Sequence, residues 1–332
     1  MKNIAITILF LSLALGAKGQ DFHFSQYDAA SLNLNPALTA AFRGDTRIHG
    51  QYRNQWSAVA TKPFTTYLVG VDLNKGQWGF GGYIANRRAG QGNYNVISVL
   101  PSASYKHLLG KDKKYHKMSY GLQVGAFQKS VSEDQLTFEQ QYVQSNGGDF
   151  DPTIPSGENF AGNSTFNLDV NVGVVYSYVN PFSRLNPFIG ITAFHVNLPN
   201  ETFLGVKNKL PIRLQAHLGS RISITERLAV TPKMFFQYQD NVNEITYGFL
   251  GQYHLKNPNF FLLFGGTYRS EKDAAIAEIG AKYGSFMGRI SYDINLSSLS
   301  TITNGRGASE FSLTYIFSKP KKYPLEKCPK IP

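Results

Sequence analysis

Between Thr165 and Asn180 the chain alternates with a period of two. Phe166, Leu168, Val170, Val172, Val174, Tyr176 and Tyr178 take the even positions, with Asn167, Asp169, Asn171, Gly173 and Ser177 between them. Successive side chains of a strand point to opposite faces, so this segment has one apolar face and one mostly polar face. It exceeds the roughly 5–6 residues of a soluble strand and suits the roughly 9–11 of a strand tilted across a bilayer. Aromatic residues at both ends complete the pattern of a transmembrane β-strand.

The same alternation recurs along the chain and predicts fourteen strands, near 46–54, 64–74, 77–88, 94–107, 116–129, 165–180, 187–196, 211–224, 227–239, 243–255, 259–270, 274–284, 286–296 and 309–318. The predicted fold is therefore all-β, a transmembrane antiparallel β-barrel of about fourteen strands closing over 46–318. Connections alternate between short turns and longer loops, as they do between the periplasmic and outer rims of such barrels. The longest, 130–164 and 197–210, fall on the outer rim, so the strand from Thr165 descends toward the periplasm. Pro101 and Pro232 remove ladder donors inside strands, and bulges are expected there.

Charged residues on the lipid face cost about 2–4 kcal/mol at mid-membrane, so those within strands belong to the lumen. Asp72, Asp169, Arg213, His217, Arg221, Lys233, Glu278, Lys282, Arg289 and Asp293 form this expected interior set. Asp169, Arg213, His217 and Arg221 either line a path for an anionic solute or lock the interior by pairing across it. A barrel of about eight strands is filled by its own side chains and one of sixteen leaves a channel, so fourteen need a filler. Residues 20–45, irregular and carrying Pro36, are the available plug.

Composition agrees with this reading: Gly 31, Tyr 19 and Phe 24 among 332 residues, with 17% charged. Lys2, the apolar run Ile4–Leu15 and Ala17-Lys18-Gly19 form a secretory signal over 1–19, cut after Gly19. After it no apolar run is long enough for a helical span. The net charge of +11 is spread out, without the aromatic-interleaved basic run of a nucleic-acid groove. It is densest in the tail 319–332, which is expected in the periplasm. The single cysteine, Cys328, has no internal bridge to make.

Catalytic chemistry finds little support. The seven histidines show no HExxH spacing, and no G-x-S-x-G elbow occurs. His195, near a strand end, is the one candidate for a rim enzyme, and it has no evident partner in the sequence. Asp149 and Asp151 are a weak calcium option or an ordinary turn cluster. No metal centre and no cofactor is expected.

Phe24-Ser25-Gln26-Tyr27 followed by Asn35-Pro36-Ala37 resembles the opening of the PorP/SprF family of outer-membrane proteins, which accompanies the type IX secretion system of Bacteroidetes. Phe150-Asp151-Pro152, with Pro155, Gly157 and Glu158 in the longest loop, and Lys327-Cys328-Pro329 in the tail extend the likeness along the chain. His23 stands where a proline is common in the family, and Thr39-Ala40 where an Ala-Gly pair is.

The resemblance implies a non-enzymatic barrel set in outer-membrane lipid beside other secretion components. It implies a role in exporting or attaching large, adhesin-like surface proteins and, with that, in gliding motility. The expected partners are the C-terminal domain of a secreted surface protein, held by the outer loops, and a peptidoglycan-linked periplasmic protein touching the tail. The competing reading is a plugged transporter for a small or hydrophobic solute, because fold alone does not decide function.

Overall fold

The computed structural model describes residues 21–319, apart from 58–59, 61, 91, 111–114, 133–135, 145–147, 159–161, 204–206, 271–272 and 299. The expected signal 1–19, the tail beyond Lys319 and Cys328 lie outside the described residues.

Fourteen strands close a single barrel. They are β1 Thr46–Gln55, β2 Phe64–Lys75, β3 Trp78–Ala89, β4 Tyr94–Leu109, β5 His116–Ser130, β6 Ser164–Tyr178, β7 Leu185–Phe194, β8 Arg213–Ser223, β9 Leu228–Gln239, β10 Val242–His254, β11 Phe260–Arg269, β12 Ala274–Tyr283, β13 Phe286–Asn295 and β14 Arg306–Phe317. Each pairs antiparallel with its neighbours in sequence, and β14 returns to β1 from Thr46↔Phe317 to Gln55↔Ala308, so no edge is left unpaired.

Burial in β6 runs opposite to that of a soluble strand. Phe166 and Leu168 are 70% and 63% exposed on the outer face, whereas Asp169 and Asn171 are 2% and 0% exposed on the inner one. An apolar exterior around a polar interior is stable where the outer solvent is lipid. Trp78 against Tyr105 and Tyr115 against Tyr178 add aromatic rings at the rim with the shorter turns.

The prolines behave differently from expectation. Around Pro101 the pairing runs from Val99↔Ala126 to Ser102↔Gln123, and around Pro232 from Gly219↔Lys233 to Ile222↔Val230, with no change of register. Both prolines face outward and exposed, so each ladder omits bonds without a bulge. The register shift lies instead between β13 and β14, at Tyr292 and Ile294. Asp293, between them, is turned into the lumen.

The connection from β9 to β10 is short because Asp240 and Asn241 both take positive φ, 47° and 61°, as a two-residue hairpin turn of the primed type requires. The longest loop, between β5 and β6, carries a two-stranded ribbon of Tyr142–Val143 and Asp149–Phe150. Ahead of β1, the segment expected to be irregular contains a helical turn at Ser31–Leu34 and a 3-10 turn at Pro36–Leu38.

Candidate functional site

The segment ahead of β1 lies inside the barrel, and its two sequence motifs grip opposite walls. Glu310 of β14 accepts the backbone N–H of Ser25 at 2.5 Å and of Gln26 at 2.9 Å, and it pairs with Arg53 of β1. Ser25 Oγ donates to Asp293 at 2.6 Å, and Arg53 reaches the same carboxylate at 3.1 Å. Gln26 donates to Ser291 at 3.0 Å and accepts from Ser312 at 2.7 Å. Tyr27 stacks on Phe235 with ring centroids 4.9 Å apart. Phe24 packs with Leu68, Tyr83 and Leu100. Asp28 takes Lys233 at 2.7 Å and Arg289 at 2.9 Å.

Asn35 works across the lumen from Glu310. Its side-chain oxygen caps the 3-10 turn through Ala37 N–H at 2.9 Å, while its amide donates to the carbonyls of Val174 on β6 and Ile191 on β7 at 3.3 and 3.2 Å. Gly121 and Gly173 make room for this approach: a Cβ on either would overlap Ala37 or Asn35. Thr39 and Ala40 continue to Ser102, Ser104 and Asp72. Phe24, Ser25, Gln26, Tyr27, Asn35, Pro36 and Ala37 are thus all buried and all held by the barrel wall.

Toward the rim with the longest loops the lumen widens into a vestibule of about 740 Å³. Asp21, Phe22 and His23 form part of its lining, with Arg53, Trp56, Arg87 and Arg269 among the wall residues. The Asp21 carboxylate meets His195 Nε2 at 2.8 Å, Gln239 at 3.2 Å, and Arg87 and Arg213 at 3.5 Å each. His195 Nδ1 lies 2.8 Å from Asp169. Burial pushes the Asp21 carboxyl up, but Arg213, His195 and Arg87 outweigh it and hold the group well below the usual carboxylate range. Burial lowers the His195 imidazole, and Asp21 and Asp169 more than restore it, leaving it raised. His23 is held well below its ordinary value by burial, then by Arg269, Arg53 and Arg213.

Of the expected lumen charges, Asp169 and Arg213 converge on Asp21. His217 is buried in the β8 wall, with Phe188 beside it. Arg221 has the inward parity but sits two residues before β8 ends and is exposed, unlike Arg213 and His217.

The loop motif lies apart from this interior. Phe150, Pro152, Pro155, Gly157 and Glu158 are exposed and Asp151 is half-buried, with Tyr142 and Phe150 rings 5.4 Å apart edge to face. Asp149 accepts from Phe150 N–H at 2.8 Å, and Asp151 from the Thr153 hydroxyl at 2.6 Å, both within local turns. Among the described residues no group of His, Cys, Asp and Glu side chains has the arrangement of a metal site.

Sequence reading missed the strongest contacts. Glu310 alternates with Phe311 and Leu313 in β14, so its inward parity was available. Nothing local marks Asp21 and His195 as partners, since they lie 174 positions apart.

A family described as type IX secretion system membrane protein PorP/SprF matches residues 16–315. No curated protein matches the sequence. Among solved structures, the toluene transporter TbuX of Ralstonia pickettii is similar at 12% identity, with 91% of this chain and 96% of that one covered and a TM-score of 0.52. A deltaS2S3 mutant of the monoaromatic hydrocarbon channel TodX is similar at 11% identity, with 86% and 93% covered and a TM-score of 0.51. Such likenesses establish the outer-membrane barrel fold and nothing finer.

Proposed function

The chain belongs to the PorP/SprF family of type IX secretion system membrane proteins, and on that premise we propose that it is a non-enzymatic accessory barrel of the outer membrane, assisting export or attachment of large, adhesin-like surface proteins. The rim with the longest loops faces the cell exterior, and those loops hold the C-terminal domain of a secreted client. The loop residues assigned to that contact are Phe150, Asp151, Pro152, Pro155, Gly157 and Glu158. Residues 20–45 act as a plug, and the tail from Lys319 reaches a peptidoglycan-linked periplasmic protein.

One observation carries this reading. The lumen is crossed by a segment bonded to β13, β14 and β1 on one side and to β6 and β7 on the other, so the barrel is a rigid platform for its loops more than an open conduit. Deleting the gene should strip particular proteins from the cell surface, and deleting 141–158 should release the same clients while leaving the barrel in the membrane. A surface proteome unchanged by gene deletion would end the proposal.

A second reading, a plugged transporter for a small or hydrophobic solute, is favoured by the vestibule, whose volume lies within the range of small-molecule pockets. Liposome uptake of a solute by the intact protein supports it, and uptake absent with or without residues 21–41 counts against it.

A further inference from the structure

The donors that face Asp21 make a receptor larger than one aspartate uses. Arg87 comes from β3, Arg213 from β8 and Gln239 from β9, while His195 follows β7. Arg213 is 4% exposed, and its Nε is buried with no hydrogen-bond partner; the Arg87 Nε is in the same condition. Both guanidinium groups stand at 3.5 Å from the carboxylate, outside the bidentate geometry that guanidinium and carboxylate favour. Phe194, on β7, lies 4.3 Å from the Arg213 guanidinium and holds its plane, while Phe22, on the tip itself, lies 4.5 Å from that of Arg87.

His195 takes φ of 59°, a conformation uncommon outside glycine that is retained where the surroundings impose it. Asp169 engages its Nδ1 and thereby aims Nε2 at the Asp21 carboxylate.

We propose that Arg87, Arg213, His195 and Gln239 form a carboxylate-binding site at the head of the lumen, filled here by Asp21 and opened to a carboxylate arriving from the vestibule when Asp21 leaves. Asp21, Arg87 and Lys129 line both the vestibule and the smaller space beside it, so the two adjoin at Asp21. The wall holds the tip through the Asp21 N–H on Gln239 at 3.0 Å and His23 on Glu244 at 3.2 Å, so its release breaks these contacts while the grip from Phe24 onward stays in place. The site is independent of whether the long loops hold a client. Its ligand is an organic carboxylate, supplied either by a small acid or by the free C-terminus of a peptide.

The test uses the full chain in detergent micelles, as wild type and as Asp21→Ala, titrated calorimetrically at constant ionic strength. The probes are hexanoate, an acetylated tripeptide with a free C-terminus, and the same tripeptide as its amide. Asp21→Ala removes the internal competitor and should raise carboxylate affinity about tenfold or more, the reciprocal of the fraction of sites otherwise free.

Adding Arg213→Gln should abolish that gain. Binding of hexanoate alone identifies a small acid, and binding of the tripeptide acid identifies a chain end; either supports the site. Amide binding equal to acid binding, or no carboxylate binding by Asp21→Ala, overturns it. A nitroxide at Phe22→Cys in a Cys328→Ser background gives a second readout with Asp21 intact. Saturating acid should mobilise the label and the amide should not, whereas equal response to both contradicts the proposal.

Discussion

The two halves of the lumen are built on opposite rules. Around Ser25–Ala40 the space is filled, and Glu310, Asp293, Asp28 and Asn35 each serve several partners at once. Around Asp21–His23 a cavity of about 740 Å³ remains, and buried nitrogens of Arg87 and Arg213 go unused. Unpartnered buried atoms occur in both halves, Tyr27 Oη, Arg289 Nε and Asp293 Oδ1 in the filled one and the two Nε atoms in the other, so what separates the halves is the cavity. A segment bonded to opposite walls is rigid, whereas charged donors beside open space can exchange one partner for another. The first half anchors and the second recognises.

The contrast is broken most severely at Glu310. Glu310→Ala takes away one of the two carboxylates paired with Arg53, leaving Asp293, and strands two backbone N–H groups in the interior, a loss of about 3–5 kcal/mol in equilibrium denaturation from lipid vesicles. Next comes Gly121→Val, which drives side-chain atoms into Pro36 and Ala37. Overpacking of this kind costs about 1–3 kcal/mol, and it should appear as protease access to the displaced segment without loss of the barrel. Asp273, 46% exposed on the vestibule wall, pairs with Arg269 at 2.9 Å. Asp273→Ala should cost about 0–1 kcal/mol in the same denaturation, and a loss as large as that of Glu310→Ala would erase the distinction between the halves.

The mildest effect is one of pH on the tip. His195 faces Asp21, Asp169 and Arg213, and Asp21 raises its value by charge and by hydrogen bond, so the imidazole binds its proton more tightly with the tip seated than with it released. That contribution is fully present below the value His195 takes with the tip released and fades as pH rises through the higher one it has with the tip seated. The nitroxide at position 22 should therefore gain mobility on going from pH 6 toward pH 9, and a label that tightens over that range would reverse the sign.

The wall of the barrel was legible because lipid enforces parity. A strand with one apolar and one polar face has one way to sit between membrane and lumen, so the alternation from Phe166 to Tyr178 is enough to put Asp169 and Asn171 inside. Strand ends at Gln55, Ser130 and Phe317 fall within one residue of the pattern, while the start of β14 at Arg306 precedes the expected 309 because Gly307 and Ala308 carry no alternation. The interior was legible only in outline. The motif residues Ser25, Gln26 and Asn35 were found as a family signature, but their partners are set by three-dimensional closure: Ser25 and Glu310 are separated by 285 positions. Arg221 is exposed although its parity is inward, because parity reports a face and carries no depth.

Ion conductance through single barrels in a planar bilayer tests the central claim, that residues 21–41 fill the lumen, most directly. The intact protein should show no sustained open steps, and a chain lacking 21–41 should show stable, voltage-proportional currents. Equal conductance from the two would contradict the account.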